Sequence, residues 1–207
     1  MTGHFIAFEG GEGSGKSTQA RRLAERVGAL LTHEPGDTPL GAAVRRILLD
    51  ATSLEITPRA EALLMAADRA QHVVEVVRPS LERGRTVITD RFTGSSIAYQ
   101  GYGRQLSAAE VEALSAWATD DLWPDLNILL AVPASVSIQR TGGPRDRLEA
   151  AGPAFHRRVH DGFLTQAMAD PERWAVVDGT GTEDEVAHAI WDIVSIRFPD
   201  IAQAPSR

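Results

Sequence analysis

Residues Gly10-Gly11-Glu12-Gly13-Ser14-Gly15-Lys16-Ser17 fit the pattern G-x-x-x-x-G-K-[ST]. Such a run works only in narrow surroundings. Its glycines let successive backbone N–H groups turn toward one point, and a helix must start directly behind them. The flanks supply both conditions. His4-Phe5-Ile6-Ala7-Phe8 is a short apolar run that predicts a buried strand entering the loop. Ser17 to Val27 follows with Ala20, Leu23, Ala24 and Val27 on one helical face. Strand, glycine loop and helix together read as a nucleoside-triphosphate P-loop. Gly10, Gly11, Glu12, Gly13, Ser14, Gly15, Lys16, Ser17 and Thr18 are then the expected ATP-binding residues. Lys16 would reach the β- and γ-phosphates, and the Ser17 hydroxyl would ligate Mg²⁺.

The rest of the chain alternates in the same way. Further strands are expected at Gly28–Thr32, Thr86–Thr89, Leu126–Val132 and Trp174–Asp178. Helical patterns cover Leu40–Leu49, Pro58–Arg83, Ala108–Trp117, Pro133–Arg140, Pro153–Met168 and Glu183–Ile196. That order predicts an α/β fold: a parallel sheet of about five strands with helices on both faces, binding its ligands beyond the carboxyl ends of the strands. The 207 residues fit one domain, with a short lid at about 140–152 and a frayed tail from about Pro199. Asp90 ends the apolar strand Thr86–Thr89, the position at which an acid holds Mg²⁺ in this class of site. Arg91 beside it has the planar fork that suits a phosphate. Read alone, Asp90-Arg91 is equally a turn with a local ion pair.

Bulk properties limit the partners. A net charge of −7 opposes nucleic-acid binding, so phosphate binding must come from a local basic cluster. The absence of cysteine removes disulfides and thiolate metal sites. No basic segment with an apolar run and cleavage site opens the chain, and no apolar stretch approaches the ~20 residues of a membrane span. The expectation is a cytoplasmic protein with neither nucleic-acid nor membrane partners.

Five motifs carry a family resemblance. They are Phe8–Gln19 around the glycine loop; Glu34-Pro35-Gly36-Asp37-Thr38; Ala66-Ala67-Asp68-Arg69-Ala70-Gln71-His72; Asp90-Arg91-Phe92 with Ser95–Gly101; and Asp146-Arg147-Leu148-Glu149. In this order, between about Phe5 and Gly179, they resemble bacterial thymidylate kinases. The resemblance implies ATP-dependent phosphorylation of dTMP to dTDP, with Mg²⁺, in dTTP synthesis. It implies dTMP contacts from Glu12, Arg45, Met65, Arg69, Arg91, Ser96, Tyr99 and Gln100, with Arg69 and Gln100 on the base. It implies Ser17 and Asp90 at the metal, and catalysis by Lys16, Arg91 and a lid arginine, Arg145 or Arg147, because Gly13 occupies the place of a P-loop arginine. Relatives are homodimers, and Leu63–Val77 is the apolar stretch available for that. Three positions depart from the pattern: Met65 for a usual Phe, His33 for Arg and Asp37 for Gly.

Residue by residue, plainer alternatives stand beside these roles. Arg45 could be a solvated surface arginine, Arg69 an exposed helix position, Tyr99 simple core packing, and the lid arginines a surface loop with compensating charge. The rival functions are a kinase of another nucleotide or nucleoside, a relative that binds dTMP without turnover, and a GTPase-like switch. No N-K-x-D guanine-reading motif occurs to favour the last.

Overall fold

Five parallel strands lie in the order β2-β3-β1-β4-β5: β1 Phe5–Glu9, β2 Leu30–His33, β3 Val87–Asp90, β4 Leu126–Ala131 and β5 Trp174–Asp178. The computed structural model describes residues 3–49, 55–133, 136–137, 140 and 146–203. The helices are α1 Lys16–Val27, α2 Pro39–Leu49, α3 Pro58–His72, α4 Arg78–Glu82, α5 Thr93–Ser96, α6 Ala108–Thr119, α7 Pro153–Ala169, α8 Glu183–Arg197 and α9 Pro199–Gln203. Two π-helical segments, Val73–Val77 and Ile97–Gly103, extend α3 and α5.

Alternation along β1 distributes the core. Ile6 and Phe8 pack with Leu23, Ile128 and Ile190 on the face covered by α1 and α8. Phe5 and Ala7 point the other way, against Val73, Val77, Val87 and Phe92. A third cluster, Ala98, Tyr99, Phe155, Val159 and Phe163, joins the second π-helical segment to α7. With both faces covered, central strands read as continuous apolar runs, which is why β1 and β4 stand out in the sequence.

Local chemistry explains where the structure departs from the sequence reading. Gly28, expected to begin a strand, instead caps α1 at φ 67°, its N–H bonded to the Ala24 carbonyl. The expected single helix Pro58–Arg83 is interrupted by the π turn Val73–Val77. Pro79 has no N–H and its ring crowds the Glu75 carbonyl, and just before it the Arg78 N–H bonds five residues back to Val73. The helical stretch Thr93–Gly103 is absent from the sequence expectations because Gly94, Gly101 and Gly103 depress helix propensity. The tail does not fray at Pro199: α9 forms there and buries Ile201 against the core. Residues 134, 135, 138 and 139 of the expected helix Pro133–Arg140 and residues 141–145 of the expected lid lie outside the described residues.

α7 and the second π-helical segment touch through glycine. A Cβ on Gly103 would sit 2.6 Å from the Phe155 ring, and one on Gly162 2.7 Å from the Tyr102 ring. Gly162→Ala therefore forces these elements apart. Denaturant titration is expected to show a loss of about 1–3 kcal/mol with the fold retained.

Candidate active site

Strand register gathers the site. Phe8 pairs with Asp90, and His33 pairs with Asp90 from the other side. The ladder then continues past the strand ends: Arg91 N–H bonds the Phe8 carbonyl at 2.9 Å, and Glu34 N–H the Asp90 carbonyl at 3.0 Å. Three motifs distant in sequence thus leave the sheet side by side. Between them lies a cavity of about 380 Å³ whose walls include Glu12, Lys16, Arg45, Arg69, Arg91 and Gln100.

The glycine loop is built to receive an anion. Gly10 and Gly15 have φ of 142° and 91°, and a Cβ on Gly10 would meet the Leu130 carbonyl at 2.8 Å. Gly15 caps α1 without any side-chain acceptor, and the first turn holds no acid. The α1 N-terminus therefore keeps its partial positive charge for a ligand. By contrast, Thr182 and Glu185 close the start of α8 with a capping box. Lys16 is buried and donates to the Gly11 carbonyl at 2.9 Å. Burial, then the neighbouring Arg91 charge, pushes its pKa down, so an arriving phosphate would relieve an existing cost.

Ser17 Oγ donates to Asp90 Oδ2, while Asp90 Oδ1 is buried without a partner. A hydroxyl and an orphaned carboxylate oxygen form a hard oxygen donor pair beside the phosphate loop. This fits Mg²⁺, which takes few protein ligands and completes its shell with phosphate and water. Ser14 Oγ, also buried and unpartnered, faces the same loop chemistry.

Arg91 joins donor and acceptor halves. It holds the left-handed conformation, φ 72°, a strained geometry for a residue with a Cβ that functional sites tolerate. Its guanidinium donates to the Gly10 carbonyl at 3.0 Å, Ser95 Oγ at 3.1 Å, Tyr99 Oη at 3.2 Å and the Glu12 carboxylate. Burial alone would lower its pKa, but Tyr99, Glu12, Asp90 and Glu9 outweigh that and raise it. The Arg91 charge in turn holds Glu12 at about 2. Glu9, wholly buried, has its carboxyl pushed up by burial; it accepts from Ser95 Oγ at 2.5 Å and the Phe92 N–H at 3.0 Å. Glu9 and Ser95 received no role from the sequence; the signal was a carboxylate in an apolar strand.

The acceptor half rests on a buried polar chain. Arg69 is not on the surface: it is 2% exposed and donates to Glu34 at 2.8 Å, Phe92 carbonyl at 3.2 Å and Ser96 Oγ at 3.0 Å. Its Nη1 has only a 3.5 Å contact, to Ser115 Oγ. Glu34 also binds His72 Nδ1 at 2.8 Å, and His72 Nε2 lies 2.6 Å from Thr32 Oγ1. Gln100 donates from Nε2 to the buried Glu61 at 2.9 Å, leaving its Oε1 buried without a donor. Tyr99 is part of the packing, edge-on to Phe155 and Phe163, and its hydroxyl accepts from Arg91 at 3.2 Å. Arg45 is exposed on α2 yet lines the cavity and donates to the Pro35 carbonyl at 2.8 Å. Met65 lines it too, against the Tyr99 cluster.

At the lid, Arg145 lies outside the described residues. Arg147 turns to the acceptor side: Nε donates to the Leu48 carbonyl at 2.8 Å and Nη2 stands 2.7 Å from Glu61, an ion pair without hydrogen-bond alignment. Arg140 donates to the Gly179 carbonyl at 2.7 Å, and a Cβ on Gly179 would meet Ser14 O at 3.2 Å, so the loop after β5 abuts the P-loop.

Comparison with known proteins resolves the lineage. The thymidylate kinase family model matches residues 8–190. The chain belongs to the thymidylate kinase family. Thymidylate kinase of Bifidobacterium longum (strain DJO10A) is 44% identical over 98% of this chain and 100% of its own. That of Deinococcus radiodurans is 48% identical over 94% of this chain and 98% of its own. The crystal structure of thymidylate kinase from Ehrlichia chaffeensis superposes with a TM-score of 0.77 at 31% identity, covering 94% of this chain and 99% of that one. The five-stranded sheet is thus the P-loop fold of this family.

Asp68 gives a measurable signature of the buried chain. It accepts from the Gly36 N–H at 3.0 Å, but burial, then Glu34, pushes its pKa up to about 6, against weaker opposing effects of Gly36, Arg69 and His72. An acid whose folded pKa is raised favours folding while protonated. Its contribution is full below about 3.8 and lost as pH rises through about 6. Asp68→Asn, which keeps the acceptor for Gly36, is expected to remove that slope and gain about 1–3 kcal/mol at pH 8 relative to pH 4. Urea titrations across pH check it.

Proposed function

We propose that this protein transfers the ATP γ-phosphoryl group to the 5′-phosphate of dTMP, giving dTDP and ADP for dTTP synthesis. The observation that carries this reading is the pairing of one weakly engaged donor, Arg69 Nη1, with one unclaimed acceptor, Gln100 Oε1, in a cavity that ends at the P-loop. A carbonyl beside a ring N–H, the O4/N3–H edge of thymine, satisfies both at once, and a base lacking either leaves a buried polar group unpaired.

The attacking atom is already an ionised phosphate oxygen, so no strong general base is needed. One Pγ–O bond to the β-phosphate breaks as one to the dTMP phosphate forms. The main obstacle is the meeting of two polyanions. Lys16 and the P-loop N–H groups hold the ATP phosphates, and Arg91, with Arg45, holds the acceptor phosphate. Ser17 and Asp90 would hold Mg²⁺, whose charge would offset that of the phosphate oxygens. Once a phosphate takes Arg91, Glu12 is free to accept from the sugar 3′-OH, while Tyr99 lies beneath the deoxyribose. Met65 offers the base a flexible thioether surface in place of an aromatic ring. Because Arg147 is committed to Glu61, Arg145 is the lid arginine we assign to the transferring group. We place the protein in the cytoplasm. Among the described residues no helix is long and apolar enough to cross a membrane.

The test is ADP release with ATP, Mg²⁺ and a panel of dTMP, dUMP, UMP, AMP and thymidine. Turnover is expected to be confined largely to dTMP; preference for another acceptor would discard the base assignment. Lys16→Ala and Arg91→Ala are each expected to lower kcat/KM by about 10²–10⁴ with unchanged circular dichroism. Wild-type-like rates would remove them from the site.

We further propose a homodimer through the Leu63–Val77 stretch. Leu63 and Val74 are 58% and 66% exposed there, and Trp117 on α6 is 83% exposed. Sedimentation is expected to show a dimer that Val74→Asp shifts toward monomer; a wild-type monomer at tens of micromolar overturns this.

A further inference from the structure

Glu61 sits in the first turn of α3, wholly buried, and among the described residues every polar side chain paired with its carboxylate is a donor. Arg104 contributes Nε at 3.2 Å to each oxygen and Nη2 at 3.0 Å; Arg147 Nη2 stands at 2.7 Å. Guanidinium groups only donate, so this carboxylate has only acceptor oxygens to offer its remaining neighbour. That neighbour is the side-chain amide of Gln100, at 2.9 Å from Glu61 Oε1.

An amide can present either end, and in an ordinary pocket its two orientations differ little in shape. Here one is excluded. Turning Gln100 over would bring its carbonyl oxygen against Glu61, two acceptors in contact inside a buried cluster, and would leave its NH₂ without this acceptor. The carbonyl oxygen is therefore the end left without a protein partner, in a residue that lines the cavity.

We propose that Glu61 is a positioning residue that fixes the Gln100 amide, so that the site accepts a pyrimidine with N–H at position 3 and rejects one with a bare ring nitrogen there. The inference rests on the reading of Gln100 as a base contact. Glu61 touches no substrate; it acts through Gln100. Glu61→Gln nearly preserves shape but can both donate and accept, so Gln100 becomes free to turn its NH₂ toward the base. The same hub ties the lid base to this choice, because Arg147 reaches Glu61 from the lid and the Leu48 carbonyl at the end of α2.

The discriminating pair is dTMP and 5-methyl-dCMP, which differ only at ring positions 3 and 4. The ratio of their kcat/KM values is measured for wild type, Glu61→Gln and Gln100→Ala. Glu61→Gln is expected to narrow the ratio by about 10- to 100-fold, the worth of one buried hydrogen bond made or left unmade. A general loosening of the site would lower both rates and leave the ratio unchanged, so an unchanged ratio in folded Glu61→Gln overturns the proposal. An unchanged ratio in Gln100→Ala would instead show that Gln100 does not read the base, a separate failure. Should Glu61→Gln not fold, the wild-type enzyme labelled with ¹⁵N-glutamine decides. The Gln100 NH₂ pair, assigned from its absence in Gln100→Ala, is expected to exchange at least about tenfold more slowly than that of the exposed Gln105, before and after dTMP is added. Exchange as fast as Gln105 in the free enzyme overturns the proposal equally.

Discussion

One half-buried cation holds the two halves of this site together. Arg91 touches the P-loop through the Gly10 carbonyl and Glu12, and the acceptor wall through Ser95 and Tyr99. Its own backbone is anchored to β1 by the bond to the Phe8 carbonyl. A lysine could supply the charge but not four simultaneous contacts from one planar fork. Glu12 neutralises part of this charge and so offsets the repulsion between Lys16 and Arg91.

Around that centre the protein has taken unusually many ionisable groups out of water. Glu9, Glu34, Glu61, Asp68, Arg69 and His72 are all buried. Burying a charge is costly unless its partners are complete, and nearly all of these are engaged several times over. Among the buried polar atoms left unsatisfied in the described residues, three are instructive: Ser14 Oγ in the P-loop, Asp90 Oδ1 beside Ser17 and Gln100 Oε1 in the cavity. Each lies where phosphate, metal or base is assigned.

Much of this was legible in the sequence. The P-loop announces itself because phosphate binding needs glycines and a helix start at one spacing, and the central strands because both their faces are covered. Asp90-Arg91 read correctly as a pair at a strand end. What was not legible has a common cause. Nothing local distinguishes Glu61 from a solvated acid, since its burial comes from elements tens of residues away. The glycine-rich stretch Thr93–Gly103 has weak intrinsic helix propensity and is helical because α6 and α7 pack on it. Pro199 looked like the start of a loose end, whereas Ile201 finds the core face built by β1 and α8.

The sequence by itself determined the chemistry on offer: a phosphate loop, an acid and an arginine at a strand end, an arginine and a glutamine in two further motifs, and the order of most strands and helices. These are properties of short segments, governed by backbone freedom, side-chain type and period. Tertiary structure decided how those groups are oriented. Parallel register brought Glu34, Asp90 and the P-loop into line, the glycine contacts at 103 and 162 let α7 close on the cavity wall, and Glu61 set the direction of Gln100. Orientation of a buried polar group depends on which partners surround it in space, and those partners are chosen by packing rather than by neighbours in the chain.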